Sequence, residues 1–230
     1  MIRNAILIYT NRMIYITGII SLIVQVVIGI IDYLALHIKV DSKDELLKDL
    51  LQVEIWVQII EFIFYILLIF YFNKVSQNIT PLRYIDWAIT TPLMLITLSA
   101  FLNHNGSTSN RLTDFLSNHK GSMIKIVLLN AAMLFFGLVG EFGYLNPYLS
   151  TTLGFIPFSL NFKYIKDTFL PSDDKFKNGL FYWFVFFWAL YGVCAVMNYT
   201  NKNTGYNILD IFAKNFFGLF LAYTVWTKTK

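Results

Sequence analysis

Two basic side chains, Arg83 and Lys214, lie inside long apolar stretches of this sequence. An ionisable group at the depth of a bilayer costs on the order of several kcal/mol unless it is paired or hydrated, so each needs a partner. Lys214 follows Asp210 by about one helical turn, and Asn207, Asp210 and Lys214 share one helix face at spacings i, i+3 and i+7. Two chemistries fit this pattern: a buried salt bridge in a transporter, or a desolvated lysine amine that forms an imine with an aldehyde.

Arg83 begins a second polar pattern, in the segment 83–92, which reads Arg-Tyr-Ile-Asp-Trp-Ala-Ile-Thr-Thr-Pro. On a helix, Arg83, Asp86, Thr90 and Thr97 fall near one face, so their polar atoms form one inward seam. Taken alone, the Arg and Asp could simply lock two helices together.

A third pattern places Glu54, Gln58 and Glu61 on one helix face at spacings i, i+4 and i+7. Two carboxylates inside a membrane helix require water or cations. In the alternative interpretation, Glu54 lies at the cytoplasmic end of its helix and only Glu61 is deep, where it is neutral and hydrogen-bonded to a neighbouring helix.

The composition assigns these patterns to a membrane protein. The chain is 57% apolar, 18% aromatic and 14% charged, whereas soluble domains carry about 25% charged residues. The net charge of +4 comes from basic residues between the apolar blocks, so nucleic-acid binding is a poor interpretation. No metal site is expected. The single cysteine, Cys194, excludes an intrachain disulfide.

The apolar runs predict an all-α membrane protein, a bundle of seven transmembrane helices that forms one domain over residues 1–230. No cleavable signal is expected, because the first apolar stretch after Arg12 is too long and lacks a small-residue cleavage site. The predicted spans lie near residues 13–37, 48–72, 79–102, 123–140, 146–166, 178–199 and 205–227. The predicted connectors are Asp41 to Asp44, Asn73 to Pro81, Asn103 to Ser107, Pro171 to Asp174, and Asn201 to Gly205.

Basic residues in alternate connectors predict the orientation. One set of connectors holds twelve basic residues and the other holds four, which favours an outer N-terminus and a cytoplasmic C-terminus. The cytoplasmic set comprises Lys39, Lys43, Lys48, Arg111, Lys120, Lys125, Lys163, Lys166, Lys175, Lys177, Lys228 and Lys230, and the outer set comprises Arg3, Arg12, Lys74 and Lys202.

The segment 83–92 resembles the third helix of microbial rhodopsins, whose signature is Arg-Tyr-x-Asp-Trp-x-x-Thr-Thr-Pro. The resemblance implies that Asp86 is the Schiff-base counterion and first proton acceptor, with Thr90 as its hydrogen-bond partner. It also implies that Trp87 is a wall of the retinal pocket and that Arg83 is a gate on the outer side.

The Asp-x-x-x-Lys pattern on the last span also resembles this family, in which the lysine carries retinal and the aspartate is the second counterion. The resemblance therefore implies all-trans retinal bound covalently to Lys214, with Asp210 as second counterion. Further pocket residues that the resemblance implies are Thr90, Trp188, Tyr191, Met133 and Gly137. Departures from common family residues at Gly192, Ala195 and Asn130 bear on the absorption maximum.

The resemblance to microbial rhodopsins leaves three functions open: pump, channel and sensor. Thr97 occupies the family's proton-donor position, and a hydroxyl has no useful acidity near neutral pH. The predicted outer loop at 199–206 offers no acidic release pair. Both features predict a weak outward proton pump. A sensor ranks last because no transducer-binding helix or kinase tail is visible.

The glutamate ladder of Glu54 and Glu61 resembles channelrhodopsins, and its combination with Ser21 and Asn207 more closely resembles the giant-virus rhodopsins of group one. In that resemblance Ser21 and Asn207 help form an inner constriction, the glutamates line the route with Gln58 between them, and Arg83, Asp86 and Asp210 constrict it near the Schiff base. We therefore expect a light-gated cation channel rather than an enzyme, embedded in a lipid bilayer, that transports cations or protons. Family members commonly form homo-oligomers, and the sequence does not fix their number.

Overall fold

The computed structural model describes residues 2–71, 79–106 and 111–228, with side chains from residue 12 onward. Most of the predicted connector from Asn73 to Pro81 lies outside the described residues, as do Ser107 and Lys230, while only the backbone of Arg3 is described. Lys74, which the orientation argument used, is also outside them.

Seven long helical units make up the described chain. The helices are α1 (Ile2–Leu36), α2 (Glu45–Phe70), α3 (Thr80–Asn103), α4 (Leu112–Asn118), α5 (Lys120–Glu141), α6 (Pro147–Phe169), α7 (Lys175–Ala195), α8 (Tyr199–Asp210) and α9 (Phe216–Thr227). A 3₁₀ turn at Ser42–Asp44 precedes α2, and a π-helical segment at Ile211–Asn215 joins α8 to α9 in one continuous rod. The short helix α4 leads into α5.

Six of the seven units are long and apolar enough to cross a membrane. The remaining unit is α6, which completes the bundle. Large apolar side chains on their outer faces are exposed, among them Ile23, Leu34 and Phe70, as expected for surfaces that face lipid. The predicted seven-helix fold and the multi-pass integral membrane location are confirmed. The orientation of the termini stays a prediction.

The last two spans begin earlier than predicted, and the sixth also ends earlier. α7 ends at Ala195 and α8 begins at Tyr199, so the expected connector from Asn201 to Gly205 is wrong, and residues 199–206 are helical rather than a loop. The side chain of Asn198 caps α8 by accepting a hydrogen bond from the amide of Asn201 at 3.0 Å. Of the polar residues that suggested a loop, Asn203 faces the interior and is fully buried, while Asn201 is exposed.

Two ends of the bundle can be told apart by their contacts. At the Tyr199 end, the amide of Ile79 donates to the hydroxyl of Tyr199 at 3.1 Å, so α3 and α8 start together and run in parallel. At the His104 end, the Asp44 carboxylate lies within 3.9 Å of both His104 and Lys228, which brings the start of α2 to the ends of α3 and α9. The depth of a residue in the bundle can therefore be given as its position between the Tyr199 end and the His104 end.

Candidate functional site

Lys214 lies at the centre of the bundle among three carboxylates. Its Nζ donates to Asp86 Oδ2 at 2.7 Å and lies 3.3 Å from Glu61 Oε1 and 3.8 Å from Asp210 Oδ1. The π-helical segment that contains Lys214 widens one turn and sets the direction in which this side chain leaves the rod. All four side chains are at most 5% exposed. Buried charges this close interact strongly, because little water screens them.

The two aspartates around Lys214 are held differently. Asp210 accepts hydrogen bonds from the hydroxyls of Tyr65 at 2.6 Å and Tyr191 at 2.7 Å, and it forms an ion pair with Arg83 at 3.4 Å. Those donors stabilise the charged form of Asp210. Asp86 instead has one oxygen on Lys214 and one, Oδ1, without a hydrogen-bond partner among the described residues. Asp86 is therefore the carboxylate better placed to accept a proton from the nitrogen at position 214.

A layer of polar side chains closes the Tyr199 side of Lys214. Arg83 donates to Asn203 Oδ1 at 3.1 Å and also to the side-chain oxygen of Asn207. Asn207 in turn donates to Thr17 Oγ1 at 2.8 Å, and its carbonyl accepts from Ser21 at 2.6 Å. This layer joins α1, α3 and α8.

The inner constriction expected from Ser21 and Asn207 is therefore wrong in its depth. Both residues lie in the same layer as Arg83, which was expected on the outer side. The reason is the direction of the last rod: Asn207 precedes Lys214 by about two turns, toward the Tyr199 end where Arg83 also lies.

A second set of polar residues lies on the His104 side of Lys214. Glu54 Oε1 accepts from Thr97 Oγ1 at 2.5 Å, and Gln58 Nε2 donates to Asp32 Oδ2 at 2.5 Å. Glu54 is only 1% exposed. The alternative in which Glu54 lies at the helix end is thus wrong, and both Glu54 and Glu61 are deep.

A cavity beside Lys214 is lined mainly by aromatic and small apolar side chains. The residues named from sequence that line it are Trp87, Met133, Gly137, Trp188, Tyr191 and Lys214, together with Gly192 and Ala195. Gly137 makes room for a ring in its wall, since a Cβ there would lie 2.5 Å from Tyr84 Oη. A primary amine at the edge of an apolar cavity suits a long apolar aldehyde, so the residues present fit such a group.

Thr90 departs from its expected part in this wall. Its hydroxyl donates to the main-chain carbonyl of Asp86 at 2.9 Å and not to the Asp86 carboxylate. Thr91, which sequence analysis left without a role, lines the cavity and accepts a hydrogen bond from Asn130 at 2.8 Å. The hydroxyl of Thr90 bonds the Asp86 carbonyl because a threonine in a helix readily donates to the carbonyl four residues earlier.

Three of the buried polar residues that sequence reasoning missed lie at the site or beside it. Asp32 is fully buried on α1, Tyr65 bonds Asp210, and Asn203 bonds Arg83. Asp32 could have been found by the rule that identified Lys214, since it is an ionisable residue within an apolar span. Tyr65 lies one turn beyond Glu61, on the face that the glutamates already marked.

Comparisons with known proteins agree with the seven-helix fold. A family model described as bacteriorhodopsin-like protein matches residues 12–228. The green-light absorbing proteorhodopsin of Gamma-proteobacterium EBAC31A08 is 26% identical over 165 residues, which are 64% of this chain and 62% of that protein. The match therefore spans less than two thirds of that relative's length.

Two crystal structures show similar folds. That of the viral rhodopsin OLPVRII is 27% identical, has a TM-score of 0.81, and is matched over 94% of this chain and 99% of its own. That of the blue light-absorbing proteorhodopsin from Med12 is 20% identical, with a TM-score of 0.73, over 93% and 97% of the two chains. The second likeness bears on the fold alone.

Proposed function

The chain belongs to the bacteriorhodopsin-like protein family of microbial rhodopsins, and from that premise we propose that it is a retinal-binding photoreceptor that acts as a light-gated cation channel. Membership of this family implies a retinal chromophore. Its members are mainly photoreceptors, pumps or channels rather than classical enzymes.

The attachment point in this proposal is Lys214, with retinal in the all-trans form and covalently bound. When bound, retinal supplies absorption of visible light and a change of shape about a double bond. The chain's residues then do three things. Trp87 and Trp188 restrict the cavity. Asp210, held by its tyrosine and arginine partners, balances positive charge at the nitrogen. Asp86, whose Oδ2 lies 2.7 Å from Lys214 Nζ, accepts the proton from that nitrogen.

One observation carries the channel proposal: buried polar atoms without hydrogen-bond partners run through the helix interface on the His104 side of Lys214. Among the described residues these atoms belong to Asp32, Glu54 and Gln58, to Glu61 and Asn215 at the level of Lys214, and to Gln25 on α1. Each unsatisfied buried group costs about 1–3 kcal/mol, so this number of them is best explained by water or cations that solvate the interface during function. Three of the six are acidic, and acidic linings favour cations over anions.

A weak outward proton pump is the second candidate, and it has its own observation. Asp86 contacts the nitrogen of Lys214 directly and has an unpartnered oxygen, which suits a proton acceptor. Against efficient pumping, position 97 is threonine, whose hydroxyl cannot supply a proton near neutral pH. A sensory role is the third and weakest candidate.

Photocurrent against voltage separates the two candidates. We expect current that reverses near the cation equilibrium potential and follows it when external sodium or potassium is changed. Glu54→Gln and Glu61→Gln should reduce this current sharply while the visible band survives. Asp167→Asn is the matched control, because Asp167 is a carboxylate 56% exposed at the surface. Current that stays outward at every voltage and ignores both glutamates would support the pump instead.

Orientation and assembly complete the proposal. We propose an outer N-terminus and a cytoplasmic C-terminus from the twelve-to-four distribution of basic residues. The Tyr199 end, with Arg83, would then face outward, and the His104 end would face the cytoplasm. The protein's partners are the lipid bilayer and the transported cations or protons, and it assembles as a homo-oligomer.

A further inference from the structure

Asp32 is a fully buried carboxyl group without a basic partner among the described side chains. It lies on α1, is 0% exposed, and its Oδ2 accepts a hydrogen bond from Gln58 Nε2 at 2.5 Å. A buried carboxylate with one neutral donor is costly, because its charge is neither paired nor hydrated. The structure therefore requires some other source of positive charge at Asp32.

The unpartnered atoms of this pair indicate where that charge lies. Asp32 Oδ1 and Gln58 Oε1 are both buried acceptors without a hydrogen-bond partner among the described residues. A proton on Asp32 gives the carboxyl group a donor of its own, which an amide oxygen can accept. Exchanging the nitrogen and oxygen positions of the Gln58 amide leads to the same result, since the 2.5 Å contact would then join two oxygens and would itself need a proton.

Two glycines bring the neighbouring helices close to this pair. A Cβ at Gly218 on α9 would collide with Asp32 Oδ2 and would lie 2.6 Å from Gln58 Nε2. A Cβ at Gly29 on α1 would lie 3.1 Å from Gln58 Oε1. The acid and the amide are thus enclosed by α1, α2 and α9, which excludes bulk water from their contact.

We propose that Asp32 is held as a neutral carboxylic acid by Gln58 and that it is the proton reservoir on the His104 side of Lys214. This inference rests on the proposed function, in which the nitrogen of Lys214 gives its proton to Asp86 after illumination. The nitrogen is then reprotonated: an O–H bond breaks at Asp32, an N–H bond forms at position 214, and Asp32 is left as a carboxylate. Water at the His104 end supplies the proton that restores Asp32.

Glu54 and Thr97 lie between the reservoir and the His104 end, because α2 runs from that end through Glu54 and Gln58 to Glu61 beside Lys214. Glu54 is one helical turn from Gln58 on α2, and its Oε1 is bonded to Thr97. Thr97 has one hydroxyl proton but two acceptors in reach, Glu54 Oε1 at 2.5 Å and the Met94 carbonyl at 3.0 Å. A hydroxyl that donates to the carbonyl can accept from a protonated Glu54, so this pair can relay a proton from the His104 end toward Asp32 without supplying one itself. Asp32 on α1 thus supplies the proton that Thr97 cannot, and this reprotonation restores the dark state in a channel as well as in a pump.

The test uses full-length protein reconstituted with all-trans retinal and compares the parent with Asp32→Asn. Asparagine keeps the size of the side chain and a hydrogen bond to Gln58 but has no acidic proton. We expect Asp32→Asn to lose an infrared carbonyl band of a protonated carboxylic acid in the light-minus-dark spectrum. We also expect recovery of the visible band after a flash to slow by about 10²-fold and to depend on external pH, because the proton then comes from solvent. Asp32→Glu should restore much of the rate, and Asp167→Asn should recover like the parent.

The outcomes separate this inference from the proposed function. A parent protein with no visible band overturns the proposed function, and this inference falls with it. A parent with a normal band, together with an Asp32→Asn variant whose recovery and carbonyl bands match the parent's, overturns this inference alone. Slower recovery without pH dependence and with the carbonyl band retained would show a structural role for Asp32 and would also overturn it.

Discussion

Replacing Asp86 by asparagine removes the nearest carboxylate from Lys214 and leaves the size of the side chain almost unchanged. The carboxylate oxygens of Asp86, Glu61 and Asp210 lie 2.7, 3.3 and 3.8 Å from Nζ. Coulomb attraction falls with the inverse of distance, so Asp86 contributes about two fifths of the attraction between Nζ and the three carboxylates. The share of Asp86 is about 6 kcal/mol at an effective dielectric constant of about 20.

Part of that attraction survives the substitution. The amide oxygen of asparagine can still accept a hydrogen bond, and Glu61 and Asp210 remain, so we expect about half of it, roughly 3 kcal/mol, to be lost. About 1.4 kcal/mol corresponds to one pH unit. The nitrogen at position 214 should therefore lose its proton about two pH units lower in Asp86→Asn than in the parent.

A spectral pH titration measures this change. The visible band of the variant should also move to longer wavelengths, because no adjacent anion then holds the positive charge at the nitrogen. Asp167 is an exposed carboxylate outside the cavity lining, so Asp167→Asn should titrate like the parent. Coincident titrations of the parent and Asp86→Asn would refute the assignment of Asp86 as the counterion.

Three further predictions concern the attachment point, the cavity wall and the His104 end. Lys214→Ala should abolish the visible band, because the cavity then has no primary amine, and a coloured variant would contradict the attachment. Gly137→Ala should displace Tyr84, shift the absorption maximum and lower stability by about 1–3 kcal/mol in thermal unfolding, since the added Cβ would lie 2.5 Å from Tyr84 Oη. Burial lowers the pKa of His104 from 6.5, with Asp44 opposing and Lys177 and Lys228 adding to the shift. Below about pH 6.5 the unfolded chain then binds more protons than the folded protein, so the stability of the parent should fall as pH falls. The stability of His104→Asn should fall less over the same pH range in the same unfolding assay.

The sequence predicted the centre of the site because charge is rare at bilayer depth. Arg83, Asp86, Asp210 and Lys214 are informative by type alone, and helical spacing assigns each to a face. The same rule covers Asp32, but Asp32 is a single acid on the first span and has no second charged residue at helical spacing within that span to mark its face.

Relative depth between helices was harder to predict. A helix face follows from spacing along one chain segment, whereas the level at which Ser21 meets Asn207 depends on how two distant helices are offset. The polar start of α8 was misjudged for a related reason: residues 201–205 resemble a loop in composition, and only the contacts of Asn203 with Thr80 and Arg83 show that one side of this turn lines the interior.

The buried charges of the bundle connect the two proposals. Between its two ends, the described part of the interior holds five acidic side chains, Asp32, Glu54, Glu61, Asp86 and Asp210, but only two basic ones, Arg83 and Lys214. Three negative charges in excess cannot persist in a medium of low dielectric, so protons or cations must balance them. Protons on Asp32 and its neighbours supply that balance in the dark. When light moves the positive charge away from position 214, the balance is disturbed along the same row of carboxylates. Entry of a cation and release of a stored proton are then two responses to one electrostatic change, and the carboxylates that store protons also make the path selective for cations.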